Sequence, residues 1–143
     1  MAEAVVPYLP KNGGRIIIIG SIAGRNAVPQ IPLYCASKAA IEGFTRCWAA
    51  ELGPQGHTVN QVNPGAVDTD MLKGLGEGAK AFAENTPFEN RFGLPQDIAD
   101  VVAFLVDESS RWITGQVISA SGGLRILEDI FVTVEVSHVI AIV

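Results

Sequence analysis

Four consecutive isoleucines, Ile16-Ile17-Ile18-Ile19, led in by Arg15 and closed by Gly20-Ser21, constrain the fold of this chain more than any other stretch. A continuous β-branched run suits a strand covered on both faces, the condition of a parallel strand flanked by helices. Ser21 then falls at the carboxyl end of that strand, where open α/β sheets place their ligands.

The segments around the run have the period of helices and further strands. Residues 1–10 read as the last turns of a helix, ended by Pro10 and the Lys11-Asn12-Gly13-Gly14 turn. From Tyr34 to Leu52 the bulky residues Ile41, Phe44, Trp48 and Leu52 recur at intervals of three and four, the period of one face of a helix that Gly53-Pro54 stops. Thr58 to Asn63 predicts a second strand turned by Asn63-Pro64-Gly65, and Asp68 to Asn85 a polar, Gly-rich, helical flap. Pro95 to Val106 predicts a helix with Ile98, Val101, Val102 and Leu105 on one side, and Ile113 to Ala120 a third strand ended by Ser121-Gly122-Gly123. Strand, helix, strand, helix, strand is the grammar of a parallel sheet. The tail breaks it: Ile130-Phe131-Val132-Thr133-Val134-Glu135-Val136 alternates like a strand, so residues 125–143 are expected to form an atypical strand or hairpin that pairs with a sheet edge or with a second subunit.

At 143 residues and 48% hydrophobic the chain suits one domain with a substantial core. A formal charge of -5 repels a phosphate backbone, which argues against nucleic acid as a partner. No apolar run approaches the roughly 20 residues needed to cross a bilayer, and Met1-Ala2-Glu3-Ala4 lacks a cationic start, so a soluble, cytoplasmic protein without a membrane partner is expected. Cys35 and Cys47 would stand about 18 Å apart along one helix at 1.5 Å per residue, too far to bridge, and are expected to be reduced, half-buried fillers. His57 and His138 have no Cys or His at ligand spacing, so no metal site is expected.

Chemistry concentrates on three residues. Tyr34 and Lys38 stand at i and i+4 and therefore share a helix face. A free phenol holds its proton to a pKa of about 10, and a neighbouring ammonium favours the phenolate, so such a pair suits proton transfer. Ser21 can add a hydroxyl donor to the same substrate oxygen.

The stretch Gly14-Arg15-Ile16-Ile17-Ile18-Ile19-Gly20-Ser21-Ile22-Ala23-Gly24 followed by Tyr34-Cys35-Ala36-Ser37-Lys38-Ala39-Ala40 resembles the short-chain dehydrogenase/reductase family. So do Asn63-Pro64-Gly65-Ala66-Val67-Asp68-Thr69-Asp70-Met71 and the segment from Gly93-Leu94-Pro95 through Ile113-Thr114-Gly115-Gln116 to Gly122-Gly123. The resemblance covers residues 1–124 and implies that Ser21 orients the substrate, that Tyr34 is the general acid or base, and that Lys38 assists Tyr34 and holds nicotinamide ribose. It implies further that Pro64, Gly65, Val67 and Thr69 contact nicotinamide wherever nicotinamide binds; the plain readings are a turn at Pro64-Gly65 and a helix cap at Thr69.

The family's Gly-rich fingerprint, its residue that chooses between NAD and NADP, its Asn-Asn-Ala-Gly strand and its helix Asn have no counterpart here. Neither Gly20-x-x-x-Gly24 nor Gly74-Leu-Gly76-Glu-Gly78 has the fingerprint's form. The expected fold is therefore α/β, a truncated Rossmann-like three-layer structure with a parallel sheet of about three family strands plus the atypical tail. High-affinity NAD(P) binding is not expected, because dinucleotide affinity rests largely on the pyrophosphate site. Three functions stay open: an enzyme using Tyr34, Lys38 and Ser21 for proton transfer on a small hydrophobic carbonyl compound without hydride transfer; a fragment of an NAD(P)-dependent carbonyl reductase needing a complementing chain; and a non-catalytic oligomerisation module. A homodimer or higher homo-oligomer is expected under all three, since the resemblance implies that the helix carrying Tyr34 packs against its counterpart in a second subunit, an interface Phe44 and Trp48 could serve.

Overall fold

The computed structural model describes residues 2–26, 28–74 and 79–125. Three strands, β1 (Arg15–Ile19), β2 (Thr58–Pro64) and β3 (Val117–Ala120), form a parallel sheet in the order β1-β2-β3. Among the described residues five α-helices accompany them: α1 (Ala2–Val5), α2 (Pro32–Leu52), α3 (Asp70–Lys73), α4 (Lys80–Glu84) and α5 (Pro95–Val106). The alternating α/β grammar is borne out, and β1 pairs with β2 in a register that sets Ile18 beside Gln61 and Ile19 beside Val62. Residues 126–143, on which the expected extra strand falls, lie outside the described residues, as does Leu75 of the flap.

The isoleucine run is less enclosed than a doubly covered strand. Arg15 to Ile18 are half-buried and Ile19 is 48% exposed, because β1 is an edge of the sheet among the described residues. Ile16 and Ile18 pack with Val6 and Trp48 against a buried cluster of Ala49, Leu52 and Val59, joining α2 to β1 and β2. Val59, Val62 and Leu105 are fully buried, and each side chain of this kind contributes about 1.5–3 kcal/mol through burial.

Helix α2 buries only part of its bulky face: Leu52 is buried and Trp48 packs against the core cluster. Its buried residues are Glu42, Thr45, Ala49 and Leu52, whereas Phe44 is 53% exposed and stacks on Trp48 at 5.3 Å. The cause lies on the neighbouring strand: β2 turns Gln61 and Asn63 toward the helix, and these buried amides need polar partners that Glu42 and Thr45 supply. Strand β3 is shorter than predicted. Gly115 takes φ +72° and its N–H donates to the Val59 carbonyl, so the chain turns before Val117. Cys35 is half-buried, but Cys47 is exposed, contrary to its reading as a half-buried filler. His57 is buried with Nδ1 accepting from the Gly14 N–H at 2.9 Å, a structural use of the ring. No described helix is long and apolar enough to cross a membrane.

Helix α5 packs against all three strands, with Leu105 buried and Ile98, Val101 and Val102 half-buried, as its periodicity predicts. Its start is tied down by Asp97, whose Oδ2 accepts from Arg91 Nη1 and from the Leu94 N–H, both at 2.7 Å. The Arg91 hydrogen bond first, then that of Leu94, holds the Asp97 carboxyl below its usual range. A depressed carboxyl stabilises the fold fully above the ordinary aspartate pKa of about 3.9 and loses that contribution as pH falls through the folded value. Asp97→Asn is therefore expected to lower the urea midpoint at pH 7 and to flatten the acid limb of the stability profile. A midpoint that falls with acid as steeply as in the parent would contradict this.

Candidate active site

Three elements converge at the carboxyl end of β1. The strand ends at Ile19, Gly20 follows, and Ser21 caps a single helical turn, Ile22–Gly24, with its Oγ accepting from the Ala23 N–H at 3.1 Å. That acceptor bond leaves the Ser21 O–H available to donate. Helix α2 then brings Tyr34 and Lys38 to this corner on one face. The Lys38 ammonium lies 5.6 Å from the centroid of the Tyr34 ring and donates to the Ile19 carbonyl at 3.1 Å. Lys38 thus ties the helix face to the strand end that leads into Ser21. The turn itself abuts the same helix, since a Cβ on Gly24 would stand 2.9 Å from the Lys38 carbonyl carbon. Tyr34 is 37% exposed, and no hydrogen bond joins its hydroxyl to Ser21 or to any other described residue.

The remaining candidates lie beyond β2. Pro64 ends that strand, and the N–H of Gly65 donates to the Ala120 carbonyl of β3 at 3.1 Å. Val67 forms a parallel bridge with Gly93. Thr69 occupies the N-cap position of α3 without a side-chain cap, its Oγ1 donating instead to the Val67 carbonyl at 3.3 Å. A cleft of about 270 Å³ opens beside this loop between the ends of β2 and β3 and α5; Gly65, Arg91, Asp97 and Ser121 help line it. Ser21, Tyr34 and Lys38 are not among its lining residues, so volume alone does not locate the chemistry.

A buried polar network beneath Ser21 escaped the sequence reading. Asn63 Oδ1 accepts from the Ser21 N–H at 3.1 Å and from Gln61 Nε2 at 2.6 Å, while its Nδ2 donates to Glu42 Oε1 at 3.0 Å. Arg25 Nε donates to both oxygens of the Glu42 carboxylate, at 2.9 and 2.7 Å, and Thr45 Oγ1 donates to Gln61 Oε1 at 3.0 Å. One sequence signal was present: Tyr34, Lys38 and Glu42 follow one another at intervals of four, so a carboxylate continues the reactive face of α2.

With this geometry the chain matches known proteins over most of its length. The family model described as enoyl-(acyl carrier protein) reductase matches residues 1–125. The dehydrogenase OXI1 of Cochliobolus heterostrophus is 46% identical over 133 residues, covering 89% of this chain and 57% of the relative. The chain belongs to the short-chain dehydrogenase/reductase family. Among solved members, the angucycline C-6 ketoreductase LanV with bound NADP superposes with a TM-score of 0.75 at 35% identity, covering 86% of this chain and 48% of LanV. A blue fluorescent protein from a metagenomic library, in complex with NADPH, gives a TM-score of 0.80 at 38% identity, covering 87% and 50%. The chain therefore spans about half the length of these family members.

Whether the described residues of this family member can cradle a dinucleotide is a question of space at its strand-end glycines. A pyrophosphate is held where glycines let it approach the backbone at a helix N-terminus. Here the space over Gly20 is filled by Asn63 Oδ1 and Gln61 Nε2, that over Gly24 by the backbone of Lys38 and Ala39, and that over Gly65 by Ser121. These glycines admit close packing of the protein's own atoms.

Proposed function

We propose that this short-chain dehydrogenase/reductase domain uses Tyr34, Lys38 and Ser21 to move protons and stabilise negative charge on a small apolar carbonyl compound, in isomerisation, dehydration or cyclisation without hydride transfer. The observation that carries this reading is the double engagement of Lys38, beside the Tyr34 ring and on the carbonyl of Ile19, two residues before Ser21. The Ser21 O–H donates to the substrate oxygen as electrons move onto it. Once its own proton has passed to solvent, the Tyr34 oxygen accepts the proton leaving the adjacent carbon and returns it to another position of the same enolate, so no oxidant or reductant is consumed. The Lys38 ammonium supplies positive charge beside the ring throughout. Exposed Met71 on α3 and half-buried Phe82 on α4 favour an apolar substrate, and the stacked Phe44 and Trp48 offer an α2 surface for pairing two copies.

The test is deuterium uptake at the α-carbon of cyclohexanone and α-tetralone in D2O, followed by NMR with no nicotinamide present. Protein-dependent exchange is expected. Its absence, together with micromolar NADPH binding and ketone-dependent NADPH oxidation, would overturn the proposal.

A second reading has its own support in the bound NADP of LanV and the NADPH of the blue fluorescent protein. In it, the same three residues serve an NAD(P)-dependent carbonyl reductase whose dinucleotide site is completed by further polypeptide. Titration of the purified chain with NADH and NADPH separates the two, binding weaker than micromolar being the outcome expected on the first reading.

A further inference from the structure

The network under Ser21 joins the turn that carries this serine to helix α2. Glu42 and Asn63 are 6% and 2% exposed, and Gln61 is fully buried. The Arg25 side chain is one-third exposed while the Glu42 carboxylate it grips is buried, so the pair ties a surface turn to the interior of helix α2. The turn that begins at Ser21 ends at Arg25, whose N–H donates to the Ile22 carbonyl. Asn63 holds the first residue of the turn through the Ser21 N–H, and Glu42 holds the last through the Arg25 guanidinium. The Asn63–Glu42 hydrogen bond joins the two holds.

The orientation of the Asn63 amide is dictated by its partners. Two N–H donors, from Ser21 and Gln61, face Oδ1, and a carboxylate faces Nδ2, so a flipped amide would set N–H against N–H and oxygen against oxygen. Glu42 in turn belongs to the helix that carries Tyr34 and Lys38, one turn beyond Lys38.

We infer that Asn63 and Glu42 are positioning residues: together they clamp the Ser21–Arg25 turn to the reactive face of α2 and so aim the Ser21 hydroxyl at the oxygen that Tyr34 and Lys38 serve. Neither residue touches the substrate. The inference rests on the proton-transfer reading above and deepens it.

A double-mutant cycle on ketone α-proton exchange tests it with cyclohexanone as the probe. Ser21→Ala is expected to lower kcat by about 10²-fold, the cost of one lost oxyanion donor. Asn63→Ala is expected to lower kcat by about tenfold with KM nearly unchanged, because a misaimed donor weakens the transition state more than substrate binding. In the Ser21→Ala background the Asn63 substitution is expected to cost nothing further, since there is no hydroxyl left to aim. A merely structural role would instead multiply the two losses, and that result overturns the inference. Glu42→Gln, which keeps the side-chain volume, runs through the same cycle and decides the matter if Asn63→Ala does not fold by circular dichroism. An unchanged rate in Ser21→Ala alone overturns both the positioning role and Ser21's part in the proposed chemistry. Full additivity on top of a damaging Ser21→Ala overturns the positioning role only.

Discussion

Tyr34→Phe is expected to lower protein-dependent exchange of ketone α-protons by about 10²–10⁴-fold, the usual worth of a positioned acid–base group. The fold should be untouched. The Tyr34 hydroxyl makes no hydrogen bond within the described residues, and the ring is more than one-third exposed, so removing one oxygen leaves no buried group without a partner. Lys38 keeps its bond to the Ile19 carbonyl in this variant, so the helix stays tied to the strand end. Loss of rate with an unchanged circular dichroism spectrum and thermal midpoint therefore assigns the proton to the phenol. Exchange at the parent rate removes Tyr34 from the mechanism and with it the proposed function.

Gly20→Ala is the stability counterpart, expected to destabilise the domain by about 3 kcal/mol through overpacking and disruption of buried hydrogen bonds. A Cβ there would lie 2.0 Å from Asn63 Oδ1 and 2.2 Å from Gln61 Nε2, far inside any real contact. These atoms are not the free ends of surface side chains. Gln61 is held by Thr45 and Asn63, and Asn63 by Ser21 and Glu42, so yielding to the methyl group breaks bonds between buried groups that water cannot reach. Glycine is required here for space. The expected readout is a lower urea midpoint at an unchanged denaturant slope. A midpoint equal to the parent's would show that the network yields at little cost and would remove the basis for a rigid clamp beneath Ser21.

The two substitutions probe parts of the site that differed in how they could be read from the chain. Tyr34 and Lys38 were legible because four residues of helix bring two side chains together whatever the rest of the protein does. β1 was legible from its composition, as was the apolar side of α5 from its period. The buried side of α2 was only partly legible for a physical reason: periodicity weighs apolar bulk, so it marks Trp48 and Leu52, which pack inward, together with exposed Phe44, and passes over Glu42 and Thr45. The helix presents Glu42 and Thr45 to the polar side chains of β2, because unpaired buried amides cost more than a partly exposed aromatic ring. The full extent predicted for β3 failed at Gly115, where a left-handed turn overrides an apolar run.

Local spacing alone determined that this chain is an α/β domain with a parallel sheet, and that a phenol and an ammonium share one helix face behind a strand-end serine. Tertiary structure decided what holds that serine in place. The partners Ser21–Asn63, Glu42–Asn63 and Arg25–Glu42 are 42, 21 and 17 residues apart, and strand register together with helix rotation selects them. No periodicity of the sequence encodes a hydrogen bond between residues that only packing makes neighbours.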